Sequence, residues 1–179
     1  TLASEDMTPK EWKELAKIVA KEINETDGVI VTHGTDTMHF TSAALSFMLR
    51  NLSKPVVLVG AQRSPDRGSF DGAMNLICSA WVARSDIAEV VVVMHGTTND
   101  DYCLINRGTK VRKMHSSRRD AFRPINELPI GRVWPDGRID ILNKNYRKRG
   151  NSKVEVDAKF DEKVAIIKAY PGSNPKLID

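Results

Sequence analysis

Three short runs of β-branched residues, each preceded by a helical pattern and followed by a glycine-containing polar loop, constrain the fold of this chain most. The runs cover residues 28–32, 55–59 and 89–94, and none of them alternates between apolar and polar residues. Such runs are typical of strands covered on both faces in a parallel sheet. The alternation therefore predicts an α/β fold in three layers, with a doubly wound, mainly parallel sheet and right-handed crossovers.

The sequence also contains helix patterns at the positions that this fold requires. Thr8-Pro9-Lys10-Glu11 has the cap, the proline and the acid of a helix start, and the apolar residues after it repeat at helical spacing as far as Asn24. The segments after the first two runs predict helices over residues 38–49 and 72–83.

The second half of the chain has a different character. After Thr97 glycine and proline become frequent, and the sequence predicts strands and loops in place of helices. A Pro135-Asp136-Gly137 turn joins the short segments 130–133 and 138–141, which predicts a β-hairpin. One more strand is expected over residues 163–168.

The length bounds the number of domains. With 179 residues, 41% of them hydrophobic, the chain can bury one full core. We expect a domain over residues 1–142, a linker or crossover over 143–161, and the start of a second, smaller α/β domain over 162–179. Because the chain lacks an initial methionine and stops just after a turn, we expect it to be a piece of a larger protein.

Composition excludes several classes of protein. No stretch approaches the ~18 uncharged apolar residues of a membrane helix, and the first residues lack the pattern of a signal peptide. Cys78 and Cys103 lie far apart without a C-x-x-C motif, so neither a disulfide framework nor a zinc site is indicated. These features predict a cytoplasmic protein with no membrane contact.

Charge is distributed unevenly along the chain. Residues 101–150 contain 13 lysines and arginines against five acidic residues, whereas the whole chain has a net charge of +4. This basic zone, residues 107–149, fits two interpretations. It could neutralise nucleic-acid phosphates, or it could be solvated surface with internal ion pairs. No RNA-binding motif decides between them.

Polar loops follow each of the three predicted strands, at residues 33–37, 60–64 and 95–100. The carboxyl ends of parallel strands meet at one sheet edge, where such folds bind ligands. The sequence therefore predicts a polar small-molecule site there. Thr35 and Asp36 are the strongest candidates, although a cap for the helix from Met38 would also explain them. The dinucleotide, P-loop and nucleophile-elbow motifs are absent.

The motif His33-Gly34-Thr35-Asp36-Thr37-Met38 after a valine-rich strand resembles a signature of the asparaginase/glutaminase family. The resemblance extends through Ser4-Glu5-Asp6-Met7, Val59-Gly60-Ala61-Gln62-Arg63 and Tyr170-Pro171-Gly172. Within the family, the segment 107–122 is most similar to the asparaginase-like subunits of archaeal tRNA-dependent amidotransferases. The resemblance implies the asparaginase N-terminal-domain type of fold.

The resemblance also implies roles for individual residues. Thr35, Asp36 and Lys113 match the family's catalytic threonine, aspartate and lysine. Asp36 further matches the carboxylate that binds the substrate's α-amino group, and Ser4 matches a serine that binds its α-carboxylate. Glu5 stands where many members have glutamine. Gly34 and Ala61 complete the implied substrate-binding set, and the family's first threonine, the acyl-accepting nucleophile, would precede Thr1.

The chemistry of lysine leaves the role of Lys113 open. A threonine hydroxyl needs a base to become a good nucleophile. A lysine is a base only when neutral, which for an unperturbed side chain is a fraction on the order of one in a thousand at pH 7. Lys113 is therefore either a proton-relay partner or a fixed donor that orients Thr35.

The implied function is hydrolysis of an amide, glutamine or asparagine, with release of ammonia for conversion of Glu-tRNA(Gln) to Gln-tRNA(Gln). The resemblance implies a partner kinase/transamidase subunit, which would use ATP and Mg²⁺, contact with tRNA(Gln) through the complex, a homodimer of this subunit, and no cofactor in this chain. A stand-alone L-asparaginase and a non-catalytic RNA-binding scaffold are the alternatives.

Overall fold

A six-stranded sheet with helices on both faces forms the centre of the computed structural model, which describes residues 2–177. The sheet has the strand order β1-β3-β4-β5-β8-β9, and two short two-stranded sheets, β2 with β10 and β6 with β7, flank it. The elements are α1 (Pro9–Ile23), β1 (Val29–Thr32), α2 (Met38–Met48), β2 (Leu49–Arg50), β3 (Val56–Val59), α3 (Gly72–Ala83), β4 (Val90–His95), β5 (Cys103–Arg107), β6 (Val111–Lys113), β7 (Phe122–Pro124), β8 (Gly131–Val133), β9 (Ile139–Ile141) and β10 (Glu155–Val156).

Helix α1 begins where its sequence predicts. The Thr8 hydroxyl accepts the backbone N–H of Lys10, and the Glu11 carboxylate accepts the N–H of Thr8 at 2.9 Å. These bonds satisfy donors that would otherwise lack a partner at the helix start. The helix then buries one apolar stripe against the sheet, as its 3.6-residue periodicity requires.

The three predicted strands are parallel neighbours. Strand β1 pairs with β3, and β3 pairs with β4. Strands β5, β8 and β9 each pair antiparallel with the preceding strand of the sheet. Strands β1, β3, β4 and β8 therefore run in the same direction, which confirms a mainly parallel sheet.

Apolar side chains fill both faces of this sheet. One core lies between the sheet and helices α1 and α2, around Leu45, Leu58 and Phe122. The other lies between the sheet and α3, around Val82 and Ile105. The three-layer architecture is therefore confirmed, and the uninterrupted apolar runs reflect strands that are covered on both sides.

The hairpin predicted around Pro135-Asp136-Gly137 is confirmed as the antiparallel pair β8–β9. The strand predicted over residues 163–168 is wrong. That segment has no assigned secondary structure, and Ile166 is 90% exposed. A strand needs a neighbour for its backbone donors and acceptors, and none lies beside this segment within residues 2–177.

Part of the segment 143–161, predicted as a linker or crossover, packs against the domain. Strand β10 pairs with β2, and the side chains of Val154, Ala158 and Phe160 pack on the core beside α1. The domain boundaries at 142 and 162, and the second domain, remain predictions. Cys78 and Cys103 are both buried free thiols. None of the helices in residues 2–177 has the length and apolar character to cross a bilayer.

Candidate active site

The loops after β1, β3 and β4 emerge at the same edge of the sheet, because these strands are adjacent and parallel. The loop after β1 packs closely on the loop after β3. A Cβ atom on Gly60 would lie 2.4 Å from the His33 carbonyl oxygen and 3.3 Å from Thr35 Cγ2. The convergence predicted from the sequence is therefore present, and it places Ala61, the residue after Gly60, beside the Thr35 loop.

Lys113 joins this edge from the separate β6–β7 hairpin. Its Nζ atom donates hydrogen bonds of 2.9 Å to Thr35 Oγ1 and of 2.9 Å to Asp36 Oδ1. The Lys113 side chain is only 10% exposed, whereas that of Asp36 is 66% exposed. The structure therefore brings the three predicted residues together, with the carboxylate facing solvent.

Electrostatics favour the ionised form of Asp36. The hydrogen bond from Lys113 and then the positive charge of Lys113 lower the pKa of this carboxyl, and Ser4 makes a smaller contribution in the same direction. The 2.9 Å contact between Lys113 Nζ and Thr35 Oγ1 is compatible with both roles considered for the lysine, a fixed donor that orients the hydroxyl and a partner in proton transfer.

Ser4 lies against Gly34, in a single 3-10 turn over Ser4–Asp6. A Cβ atom on Gly34 would lie 2.7 Å from both Cβ and Oγ of Ser4, so only glycine permits this approach. The hydroxyl of Thr37 donates to the Ser4 carbonyl oxygen at 2.6 Å. Ser4 is buried, whereas Glu5 is exposed at the rim of the site.

The interpretation of Thr35 and Asp36 as a helix cap is wrong. Helix α2 begins at Met38 with Thr37 as its N-cap residue, and no side chain caps it. The hydroxyl of Thr35 instead accepts from Lys113. Capping therefore does not explain why a threonine and an aspartate occupy these two positions.

A buried carboxylate, that of Asp71, supports the loop after β3, a role that its sequence pattern did not predict. Asp71 stands at the N-cap position of α3, yet its side chain does not cap the helix. Its two oxygens accept the backbone N–H groups of Gln62 at 3.1 Å and Arg63 at 2.9 Å, and the Asn75 amide at 3.0 Å. An Asp-Gly pair before a helix signals a cap, so the pattern alone gave no reason to expect this role.

Asn75 extends this network to His95, which is fully buried at the end of β4. His95 Nδ1 lies 2.6 Å from Asn75 Oδ1, and its Nε2 lies 3.0 Å from Asp100 Oδ1. The Asn75 amide nitrogen donates to Gly60 and Asp71, so Oδ1 is an acceptor. His95 therefore connects Asn75 to Asp100 across the end of β4.

Arg119 closes the network on the far side of Asp100. Its Nη1 atom lies 2.7 Å from Asp100 Oδ1, and its Nη2 donates to the Thr98 carbonyl oxygen. The hydrogen bond from His95 lowers the pKa of Asp100 most, and the positive charge of Arg119 lowers it further. Because Arg119 lies in the loop of the β6–β7 hairpin, this ion pair holds the hairpin that positions Lys113.

A second chain of hydrogen bonds supports the loop after β1. Trp12 Nε1 donates to Thr41 Oγ1 at 2.8 Å, and Thr41 Oγ1 lies 2.9 Å from His33 Nε2. His33 Nδ1 lies 2.6 Å from the Gly34 carbonyl oxygen. Burial lowers the pKa of His33, as expected for a neutral ring that donates at Nδ1 and accepts at Nε2. His33 thus fixes the backbone beside Thr35.

Much of the basic zone forms internal ion pairs. Arg107 contacts Glu89 at 3.0 Å and Glu127 at 2.8 Å, and Asp120 contacts both Arg118 and Arg123. These pairs agree with the interpretation of the zone as surface with internal ion pairs, at least for its first part. Over residues 2–177, no group of three histidine, cysteine or acidic side chains could bind a metal ion.

The Thr35–Asp36–Lys113 cluster thus lies at the loop edge of an α/β domain, where such folds bind ligands. Residues 1–147 match the family model described as "Asparaginase, N-terminal", and the chain belongs to the asparaginase family. The resemblance noted in the sequence is thereby confirmed.

Relatives extend this comparison. The chain is 65% identical over 177 residues to a glutamyl-tRNA(Gln) amidotransferase subunit from Pyrococcus abyssi, and the match covers 98% of this chain and 40% of that protein. It is 56% identical over 178 residues to the subunit of the same name from Methanothermobacter thermautotrophicus, covering 99% and 40%. The chain therefore spans about two fifths of the length of these curated relatives.

Among solved structures, the thermostable L-asparaginase from Thermococcus kodakarensis matches with a TM-score of 0.87 and 32% identity, over 99% of this chain and 51% of that one. L-asparaginase I from Vibrio cholerae matches with a TM-score of 0.83 and 30% identity, over 99% and 52%. These neighbours confirm the asparaginase N-terminal-domain type of fold.

Proposed function

We propose that this chain is the amide-hydrolysing part of a tRNA-dependent amidotransferase, and that it releases ammonia for the conversion of Glu-tRNA(Gln) to Gln-tRNA(Gln). The observation on which the chemistry rests is the contact of Lys113 Nζ with Thr35 Oγ1 and Asp36 Oδ1, each at 2.9 Å. The biological context rests on the names of relatives that are 53 to 65% identical.

The proposed reaction has two steps. A threonine hydroxyl attacks the side-chain carboxamide of glutamine or asparagine, so that the C–N bond breaks and ammonia leaves with the hydroxyl proton. Water then attacks the resulting ester, which frees the acid and restores the hydroxyl. By the family resemblance the attacking threonine comes from a strand that precedes Thr1, and Thr35 takes part in proton transfer with Lys113 as its hydrogen-bond partner.

The open edge of the sheet supports the proposal that a preceding strand supplies the attacking threonine while Thr35 takes part in proton transfer. The outer edge of β1 pairs with no strand within residues 2–177. A cavity of about 390 Å³ beside it is lined by, among others, Ser4, Val31, His33 and Gly34. A strand added at this edge would run directly past the loop that presents Thr35.

Charge at the site supports binding of an amino acid. The lowered pKa of Asp36 gives a carboxylate suited to the α-amino group of the substrate. Ser4 lies next to it and is proposed to bind the α-carboxylate. Glu5 and the backbone of Gly34 and Ala61 complete the proposed binding set.

The partners of the whole protein are part of the proposal. They are a kinase/transamidase subunit that uses ATP and Mg²⁺, tRNA(Gln) bound through the complex, and a second copy of this subunit in a homodimer. We further propose that the complex is cytoplasmic.

The alternatives have less support. A stand-alone L-asparaginase would share the cluster, but the L-asparaginase structures compared above are only 30 to 32% identical to the chain. A non-catalytic RNA scaffold requires Lys113 to be surface charge, whereas its side chain is 10% exposed and hydrogen-bonded to Thr35.

Ammonia release tests the proposal. The full-length protein is assayed with glutamine and with asparagine, alone and with its partner subunit and Glu-tRNA(Gln). We expect hydrolysis to increase in the presence of charged tRNA. Efficient asparagine hydrolysis at a rate that depends on neither tRNA nor the partner would support the stand-alone enzyme. Absence of ammonia release under every condition would support the non-catalytic scaffold.

A further inference from the structure

Helix α3 has no charged residue in its twelve positions, and its polar residues Asn75 and Ser79 are buried on its inner face. Its inner face buries Cys78 and Val82 against the sheet. On the outer face, however, Leu76 is 46% and Ile77 is 48% exposed. A helix that is apolar all round is typical of a helix covered on all sides, so the outer face of α3 has the character of an interface.

Trp81 connects this outer face to the turn of the β8–β9 hairpin. Its Nε1 atom donates to the Pro135 carbonyl oxygen at 3.1 Å. Gly137 has a φ of +93°, and a Cβ atom there would lie 2.9 Å from the Trp81 ring. Only glycine combines this backbone conformation with so close a contact, so the hairpin turn is fixed on the helix.

Three arginine side chains stack on the rings along this line. The guanidinium carbons of Arg84, Arg132 and Arg138 lie 5.9, 5.0 and 3.9 Å from the ring centroids of Trp81, Tyr102 and Trp134, respectively. The rings of Tyr102 and Trp134 are themselves 5.6 Å apart. The outer face of α3, the turn of the β8–β9 hairpin and the stacked side chains thus form one continuous strip, which we call the α3–hairpin surface.

The arginines of this surface lack acidic partners. Within residues 2–177, Arg84, Arg132 and Arg138 form no ion pair, in contrast to Arg107 and Arg119 elsewhere on the domain. Exposed tryptophan and arginine beside aliphatic residues are the composition of binding hot spots between proteins. Unpaired guanidinium groups at such a site call for carboxylates on the opposing surface.

We propose that the α3–hairpin surface docks the partner subunit, through a region of that protein that is apolar at its centre and has carboxylates at its rim. The identity of the partner rests on the proposed function, whereas the chemistry of its surface follows from the contacts above. Docking here would cover Leu76 and Ile77 and would neutralise the stacked arginines.

The geometry favours a protein over RNA or a second copy. Stacking of bases needs free ring faces, but an arginine lies over each of these rings, and Gly137 also packs on Trp81. The three arginines outnumber the exposed Asp136 and Asp140 of the same hairpin, so a two-fold pairing of copies would bring two surfaces of net positive charge together.

Charge reversal tests the proposal in the full-length protein. Arg84→Glu with Arg138→Glu is compared with a control pair, Lys21→Glu with Lys153→Glu, which makes the same change at exposed lysines elsewhere. Affinity for the purified partner subunit is measured by calorimetry. We expect Kd to rise at least about tenfold for the arginine pair and less than about twofold for the control.

Parallel measurements separate the other outcomes. Ammonia release without partner or tRNA should be unchanged in both double variants, because neither pair of residues touches the active site. If the unmodified protein itself releases no ammonia, that result contradicts the proposed function and leaves the docking proposal to be decided by the Kd values. An unchanged Kd, or no affinity of the unmodified protein for the partner, overturns the docking proposal. So does a change confined to self-association in light scattering, or to tRNA binding in a filter assay.

Discussion

The ammonium of Lys113 lies 2.9 Å from the hydroxyl of Thr35, although 78 residues separate them in the chain. This contact depends on two supports. Arg119 ties the hairpin of Lys113 to the loop after β4 through Asp100, and the packing of Gly34 on Ser4 fixes the loop of Thr35. The chemistry of the site therefore rests on contacts between loops that are distant in sequence.

Removing either partner of this contact should abolish most amide hydrolysis in the full-length protein. We expect losses of about 100-fold or more in kcat for Thr35→Val and for Lys113→Met, since each removes a group from the proton-transfer arrangement. The fold should persist because neither side chain belongs to the cores. Steady-state ammonia assays and thermal melts check this. Near-normal turnover in Thr35→Val would contradict the assignment.

The present 179-residue chain, expressed alone, should not hydrolyse glutamine or asparagine although it contains Thr35, Asp36 and Lys113. Residues that act as a catalytic unit are strongly non-additive, so absence of the attacking threonine should remove nearly the whole effect. The unpaired edge of β1 should also promote aggregation. Ammonia release is compared with that of the full-length protein at equal concentration. Activity within about tenfold would make Thr35 a sufficient nucleophile and refute the two-threonine scheme.

Asp71→Ala should lower the free energy of unfolding by about 2 to 4 kcal/mol, because it leaves the N–H groups of Gln62 and Arg63 and the Asn75 amide without their acceptor. Urea unfolding of the full-length protein measures this change. The control is Asp140→Ala, at an exposed position on β9, for which we expect a change below about 0.5 kcal/mol. Equal effects of the two substitutions would show that Asp71 does not support its loop.

Asp120 should make stability depend on pH. The hydrogen bond from Arg118, and further the charges of Arg123 and Arg118, lower the pKa of this buried carboxyl. Since its folded pKa lies below the unfolded value of about 3.9, its contribution is complete above that value and is lost as pH falls through the folded pKa. The difference in melting temperature between the original protein and Asp120→Asn should therefore be constant near neutral pH and shrink below about pH 4. A difference that does not change down to about pH 2 would argue against this role.

The last part of the basic zone, residues 144–149, can be tested for contact with tRNA, although one of its arginines also has an internal contact. If Lys144, Arg147, Lys148 and Arg149 meet tRNA phosphates, changing all four to alanine should weaken binding and reduce the salt dependence, by about 0.7 to 0.9 in log-log slope for each lost contact. Arg149 donates to the Ser85 carbonyl oxygen at 2.9 Å, so its substitution should mainly lower stability. The variant Lys144→Ala with Arg147→Ala isolates the two exposed residues of the four that form no ion pair within residues 2–177, since Lys148 contacts Asp86. An unchanged slope in this variant would leave the zone as solvated surface.

The sequence by itself determined the layered architecture. The uncharged runs at β1, β3 and β4 required cover on both faces, and helical periodicity supplied that cover from α1, α2 and α3. Local patterns also placed the turn of the β8–β9 hairpin. Where pairing was decisive, local patterns were not enough: residues 163–168 have strand composition but no neighbouring strand within residues 2–177.

Only the tertiary structure decided how the site is assembled. The sequence placed Thr35 and Asp36 at a sheet edge, but Lys113 was identified by family resemblance, and its distance to Thr35 follows from the docking of a separate hairpin. The roles of Asp71 and His95 could not be predicted from the sequence. A buried polar network is defined by which donors and acceptors meet in space, where each needs a hydrogen-bond partner. Strand and helix periodicity act between near neighbours, whereas these hydrogen bonds join loops that only the folded sheet brings together.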